Sequence, residues 1–258
     1  MLIPFCNMQA QGNDFVILQL LHTHEIKLSW QDLAKEICDR RKGVGADGLV
    51  LLLGDPNADA RMLIYNSDGS RAAMCGSALR CCARLLSDLR GDSKLRIATD
   101  SGVLDAVIEA EEISVKLGMP QMLENNLVLE GIEGALIGVG NWHFVSYQKE
   151  LKDQEFEFGP LLEQHSHFPD GVNVEFARVV SRNQIDMTIW ERGAGATQAC
   201  GTGAVATVFC GIQKGFLDSE VRVNMPGGTV TIRALENGEF VLAGAVEHTF
   251  NGVYTWKI

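Results

Sequence analysis

Two cysteines stand where they could move protons on and off a carbon acid. Cys75 and Cys200 lie 125 residues apart, and each is followed by a glycine and a hydroxyl residue, in Cys75-Gly76-Ser77-Ala78 and Cys200-Gly201-Thr202-Gly203. After Cys75 the residues Ala78, Leu79, Cys82, Leu85 and Leu86 recur at helical spacing, and Ala204, Thr207, Val208 and Gly211 do so after Cys200. Each thiol is therefore predicted at a helix start. A helix N-terminus offers unpaired N–H groups and a partial positive charge, which lower a nearby thiol's pKa and bind carboxylates. Gly76 and Gly201 permit a ligand to approach the backbone closely. Removing the α-proton of an amino acid and replacing it on the opposite face takes one base and one acid with pKa values near the working pH. A thiolate–thiol pair fits that need. Cysteine is among the most buried residue types, so either thiol alone reads as packing; the shared pattern is what favours chemistry. Cys6, Cys38, Cys81, Cys82 and Cys210 lack such a counterpart and are assigned to packing.

Stepping from the thiols to the elements that must hold them, the second half of the chain echoes the first. Gly12-Asn13-Asp14-Phe15 aligns with Gly140-Asn141-Trp142-His143, and Lys42-Gly43-Val44 with Asp170-Gly171-Val172, both at an offset of 128 residues. The two cysteine motifs align at 125, which also pairs Asn66 with Glu191, and Val115-Lys116-Leu117-Gly118 meets Val241-Leu242-Ala243-Gly244 at 126. Matches in one order at nearly one offset indicate duplication. The expected domains are 1–117 and 118–248, each a mixed α/β (α+β) unit. Strands are predicted over Leu2–Leu20, Gly48–Leu53, Arg61–Tyr65, Val221–Asn224, Thr229–Leu235 and Phe240–Val246, and a helix over Ser29–Arg40 opened by Ser29. If a pseudo-twofold axis relates the halves, Cys75 and Cys200 are expected to oppose one another across an inter-domain cleft, a favoured place for ligands.

Other candidates follow from this alignment. His143 comes two residues after Asn141, the repeat partner of Asn13, and so belongs with the candidate site. Glu191-Arg192 precedes Gly193-Ala194-Gly195, where the arginine fork could hold a substrate carboxylate. Asn66 and Asn173 are turn-forming residues that the surrounding pattern raises to candidates.

Composition narrows the function classes. The 258 residues carry 22 Lys+Arg against 33 Asp+Glu, a formal charge of −11, which disfavours nucleic acid as a partner. Apolar runs such as Leu49–Leu53 are too short to span a bilayer, and residues 1–7 show no secretory pattern, so the cytoplasm is the expected compartment. Seven cysteines, an odd number in a chain of this size, read as reduced thiols. Zinc is disfavoured, because there is no Cys-x-x-Cys pair and His165 and His167 have no cysteine at ligand spacing.

The chain resembles the diaminopimelate epimerase family. The resemblance runs through Gly12-Asn13-Asp14-Phe15, Gly43-Val44-Gly45-Ala46-Asp47-Gly48, Tyr65-Asn66-Ser67-Asp68-Gly69-Ser70, Cys75-Gly76, Gly140-Asn141, Gly171-Val172-Asn173-Val174-Glu175-Phe176, Glu191-Arg192-Gly193-Ala194-Gly195 and Thr197-Gln198-Ala199-Cys200-Gly201-Thr202-Gly203. It implies two similar domains, each wrapping strands around a central helix, with the tail at 249–258 returning to the first. It implies a cofactor-independent epimerase that needs no pyridoxal phosphate or metal, works as a homodimer and acts on an amino acid, diaminopimelate. Cys75 and Cys200 would be the acid and base, and His143 and Glu191 would tune them. Asn13, Asn66, Asn141, Asn173, Glu191 and Arg192 would bind substrate, and Gly76-Ser77 and Gly201-Thr202 would cradle its α-carboxylate. The sequence departs from the family pattern at Ser77-Ala78, Trp142, Ala196 and Gln9-Ala10-Gln11, which leaves open a related racemase for another amino acid. A thiol–disulfide enzyme and a non-catalytic amino-acid-binding paralogue are the further alternatives.

Overall fold

The computed structural model describes residues 1–22 and 28–256. In chain order the first half runs β1 (Leu2–Ala10), β2 (Asn13–Leu20), α1 (Trp30–Ile37), β3 (Gly48–Leu53), β4 (Ala60–Asn66), β5 (Arg71–Ala72), α2 (Gly76–Arg90), β6 (Lys94–Thr99), β7 (Gly102–Glu109) and β8 (Glu112–Lys116). β1 and β2 form a hairpin whose turn, Gln11-Gly12, is left-handed at both residues. β2 and β3 are parallel, and α1 lies in the connection between them. β4 runs antiparallel to β3 and parallel to β6, with α2 in that second crossover, and β6, β7 and β8 follow as an antiparallel meander.

The helix expected over Ser29–Arg40 starts as predicted, with the Ser29 hydroxyl accepting from the Asp32 N–H, but it stops at Ile37. Asp39 explains the early stop. Its carboxylate accepts from the backbone N–H groups of Arg41 and Lys42, a local arrangement that competes with continued helix. Arg40 is thereby released to pair with Asp14 and Asp47 at 2.6 and 2.8 Å, joining the start of β2 to the start of β3.

The second half repeats this plan with β9 (Gln121–Leu129), β10 (Ile132–Gly138), β11 (Trp142–Tyr147), α3 (Gln154–Glu157), α4 (Gly159–Glu163), β12 (Asn173–Ser181), β13 (Gln184–Glu191), β14 (Gly195–Ala196), α5 (Gly201–Gln213), β15 (Glu220–Met225), β16 (Gly228–Ala234) and β17 (Phe240–Ala245). β10–β11 is antiparallel, β11–β12 parallel, β12–β13 antiparallel and β13–β15 parallel, the same sequence of pairings as from β1 to β6. β9 pairs antiparallel with β10, and a last strand, β18 (Glu247–Thr255), pairs antiparallel with β1 in the corresponding way. The two compact units are Met1–Val115 together with the chain from Gly244 onward, and Lys116–Ala243. Residues 257–258 of the expected returning tail lie outside the described residues.

Each unit is built on a helix that is buried nearly all round. In α2 every residue from Gly76 to Ala83 is buried, and in α5 Gly203 to Val208 are. Such helices belong in a core rather than on a surface, and α5 and the buried stretch Gly76–Ala83 of α2 are made mainly of Gly, Ala, Ser, Thr, Cys and Val, so strands can pass close on several sides. α2 packs on β1, β2, β4, β6 and β7, and α5 on β10, β11, β12 and β16. The second unit adds a core of Phe144, Leu162, Phe168, Val172, Val174 and Phe176, where each fully buried side chain contributes about 1.5–3 kcal/mol.

Candidate functional site

Cys75 caps α2 and Cys200 caps α5. Their backbones are nearly identical, φ −144° and ψ 120° against φ −132° and ψ 113°, both extended as an N-cap must be. The expected equivalence of the two thiols therefore holds in each half at the level of backbone geometry. Cys75 is partly accessible, while Cys200 is buried.

Around Cys75, Gly76 and Ser77 are buried in the first turn of α2. Asn13 occupies the first position of β2 and Asn66 the last of β4. The Asn66 amide donates to the Ser70 hydroxyl at 2.9 Å inside a turn closed by the Asp68 carboxylate on the Ser70 N–H. One flank of α2 carries a residue that the sequence reading passed over. Arg80 is 1% exposed, and its guanidinium donates to the Gln11 side-chain oxygen at 2.6 Å, to the Ala245 carbonyl at 3.3 Å and to the Gly76 carbonyl at 3.4 Å. Gln11, one of the departures from the family pattern, is thus a structural partner of α2, and its amide also reaches the Ala245 carbonyl.

Around Cys200 the neighbours are acidic and tightly bonded. The Gly203 N–H donates to the Cys200 sulfur at 3.4 Å, and the Thr202 hydroxyl lies 3.5 Å from it. Burial pushes the Cys200 thiol well above its usual range, with the Glu191 and Glu175 carboxylates adding to the effect and the Thr202 and Gly203 contacts opposing it. Glu191 ends β13, accepts from the Thr197 hydroxyl at 2.6 Å, and is itself shifted upward by burial. Asn173 opens β12; its amide donates to the Trp142 carbonyl at 3.2 Å and its oxygen accepts from the Arg192 N–H at 3.0 Å. The Arg192 side chain is exposed and reaches the Asp170 carbonyl at 3.0 Å. Trp142, which replaces a smaller residue of the family pattern, is 43% exposed.

His143 and Glu175 form a pair with no solvent exposure, Nδ1 to Oε1 at 2.6 Å, and His143 Nε2 faces the Asn141 oxygen at 2.9 Å. With both ring nitrogens against oxygens, the Glu175–His143–Asn141 chain holds one proton on each of its two bonds. The second Glu175 oxygen is buried with no hydrogen-bond partner among the described residues. Glu175 belongs to a quoted motif but was not singled out; the signal for it is a carboxylate inside the apolar run Val174-Glu175-Phe176-Ala177. Gly203 depends on it, because a Cβ there would sit 2.4 Å from the Glu175 oxygen.

The ligand atoms of His143, Glu175 and Cys200 all lie within 4.8 Å of one another, a donor set that could serve a metal. Two atoms each about 2.0 Å from one tetrahedral zinc stand about 3.3 Å apart. The 2.6 Å His143–Glu175 separation is instead that of a hydrogen bond, so the cluster is arranged to share protons.

Two thiols, each capping the buried helix of one of two like-built halves, place the chain in a class of duplicated α/β folds that includes epimerases. A hydroxyproline epimerase from Agrobacterium vitis shares the fold with a TM-score of 0.74 and 14% identity, over 98% of this chain and 92% of that one. The chain belongs to the diaminopimelate epimerase family, whose profile matches residues 5–123 and 135–249, one stretch per repeated domain. Diaminopimelate epimerases of Pelotomaculum thermopropionicum and Carboxydothermus hydrogenoformans are 37% and 39% identical to it, each alignment covering 98% of this chain and 99% of the relative.

Proposed function

We propose that the protein is an isomerase that interconverts LL- and meso-diaminopimelate by two-base proton transfer, supplying a precursor for lysine and peptidoglycan. The observation that carries this reading is the pair of helix-capping cysteines at equivalent places in the two halves of a chain of this family. One thiolate takes the α-proton and the other thiol returns a proton to the opposite face, so Cys75 and Cys200 exchange protonation states in each turnover. The backbone at Gly76-Ser77 and Gly201-Thr202 receives the α-carboxylate, whose negative charge grows as the α-carbon becomes carbanion-like, at two helix N-termini. Asn13, Asn66, Asn141, Asn173 and Arg192 bind the rest of the substrate, and His143 and Glu191 govern the Cys200 proton. The family resemblance supports work without a cofactor, as a homodimer and in the cytoplasm; among the described residues no helix is long and apolar enough to cross a membrane.

Ser77-Ala78, Trp142 and Ala196 favour one competing reading, a racemase of the same chemistry with another amino acid as substrate. Reduced protein free of pyridoxal phosphate, incubated with LL-diaminopimelate in deuterated water, separates the two. Deuterium at the α-carbon together with meso product is the expected result. Neither signal, with a related epimerase active in the same buffer, would reject diaminopimelate and direct a panel of other amino acids.

A further inference from the structure

Arg80 is a cation inside α2 with no carboxylate to balance it. Among the described residues it forms no ion pair, and its hydrogen bonds all go to neutral oxygens, those of Gln11, Ala245 and Gly76. Burial lowers its pKa to about 10, which still leaves it charged at neutral pH. A buried, unbalanced guanidinium is costly, so its retention calls for a counter-charge.

Among the described residues, the ionisable groups that act on the guanidinium include the thiols of Cys81, its neighbour in α2, and of Cys75, the cap of that helix. Cys81 is fully buried and its thiol is pushed up to about 12, mainly by burial, so it stays neutral. Cys82 and Cys6, which lie around Cys81, are also raised by burial. Cys75 differs from these three: it is partly accessible and it caps the same helix, with the Gly76 carbonyl that Arg80 holds in the very next peptide unit. The Cys200 helix has Val205 at the corresponding position, and the groups near that thiol are the Glu191 and Glu175 carboxylates and the His143 ring.

We infer that Arg80 is a positioning residue for Cys75, the buried cation whose counter-charge is the Cys75 thiolate, and that it keeps Cys75 ionised in the resting protein while Cys200 stays protonated. The inference rests on the two-thiol reading and adds a division of labour to it. In the free enzyme Cys75 is the base and Cys200 the acid. After one turnover the proton sits on Cys75 and the charge on Cys200, a state that Arg80 disfavours and that must relax before the next substrate of the same configuration is processed.

The test is the pH dependence of iodoacetamide alkylation at Cys75, followed by mass spectrometry of its peptide in the full-length chain. Wild-type protein is expected to react with a midpoint clearly below the ordinary thiol value of about 8.5. Arg80→Met should raise that midpoint by about one pH unit, roughly a tenfold slower reaction at pH 7, while Arg80→Lys should stay near wild type. The acidic limb of kcat/KM, which reports the free enzyme, should move with the midpoint. A folded Arg80→Met protein with an unchanged midpoint would overturn the inference. If that variant does not fold, a wild-type midpoint at or above 8.5 overturns it equally well. Because alkylation reads the thiolate whether or not diaminopimelate turns over, failure here is distinct from failure of the epimerase reading.

Discussion

At the scale of single residues, Glu175 and His143 are joined by a hydrogen bond of 2.6 Å with no solvent exposure on either side. Removing one partner of a buried hydrogen bond leaves the other unsatisfied and typically costs about 1–3 kcal/mol. Glu175→Gln keeps the shape but withdraws the charge that orients the His143 ring and faces the Cys200 sulfur. We expect a loss of stability of that order in urea denaturation, with kcat falling further than KM rises. A variant with wild-type kcat would show that Glu175 only fills space. Asn141 and His143 were legible as candidates because the repeat carries Asn13 onto Asn141. Arg80 was not, since Val205 stands at the aligned position of the other half, and Glu175 was not, although the 128-residue offset pairs it with Asp47. Their signal was local: a charge within a buried apolar run, which periodicity alone cannot separate from an exposed face.

Helices α2 and α5 show how an element turns a sequence pattern into a site. Both begin at an extended cysteine and run into the core: the first turn of α2 is buried, while in α5 Gly201 and Thr202 are half-buried and burial starts at Gly203, whose N–H donates to the Cys200 sulfur. In α5 the third helical residue must be glycine for that turn to sit against the Glu175 carboxylate. Gly203→Ala should therefore displace Glu175 or the cap, lowering kcat by at least about tenfold and stability by roughly 1–3 kcal/mol, as overpacking does. Unchanged kinetics and melting would contradict this. The same burial makes the protein sensitive to alkali. It raises the Cys210 thiol to about 11 and the Cys38 and Cys81 thiols to about 12, well above the range of an exposed thiol. The folded chain holds these protons more tightly than the unfolded one, so the stabilisation is whole below pH 9 and is lost as the pH rises through 11 to 12. Scanning calorimetry should show Tm falling over that interval, and replacing Cys210 by Ala should flatten the fall. Helix α1 shows the limit of periodicity, which extends it to Arg40, whereas the Asp39 side chain ends it at Ile37.

For the molecule as a whole, duplication was the most legible feature, because offsets near 126 residues survive even where the paired residues differ. The pairing of β18 with β1 was not readable from the repeat, which says what each half contains and not which strand lies beside which. The family resemblance implied only that the tail at 249–258 returns to the first domain; the structure gives the pairing and its register, Leu2 opposite Thr255 through Gln9 opposite Glu247, with one irregularity between Asn7 and Met8. The Met1 ammonium donates to the Trp256 carbonyl at 2.6 Å, and the Trp256 N–H donates to the Met1 carbonyl at 2.9 Å. A chain ending at Val246 would bare the full edge of β1, and we expect it to melt at least about 10 °C lower or to aggregate. A soluble truncation with wild-type Tm would show that β18 is dispensable.

That strand pairing also sets an order of events during synthesis. β1 is completed by a strand that follows it by more than two hundred residues, so it must wait for that length of chain to be added. At roughly 5–20 residues per second this is on the order of ten to fifty seconds with an unpaired strand edge in the crowded cell. The residues of the second unit emerge within that interval, and the first unit cannot close until the chain has passed Thr255.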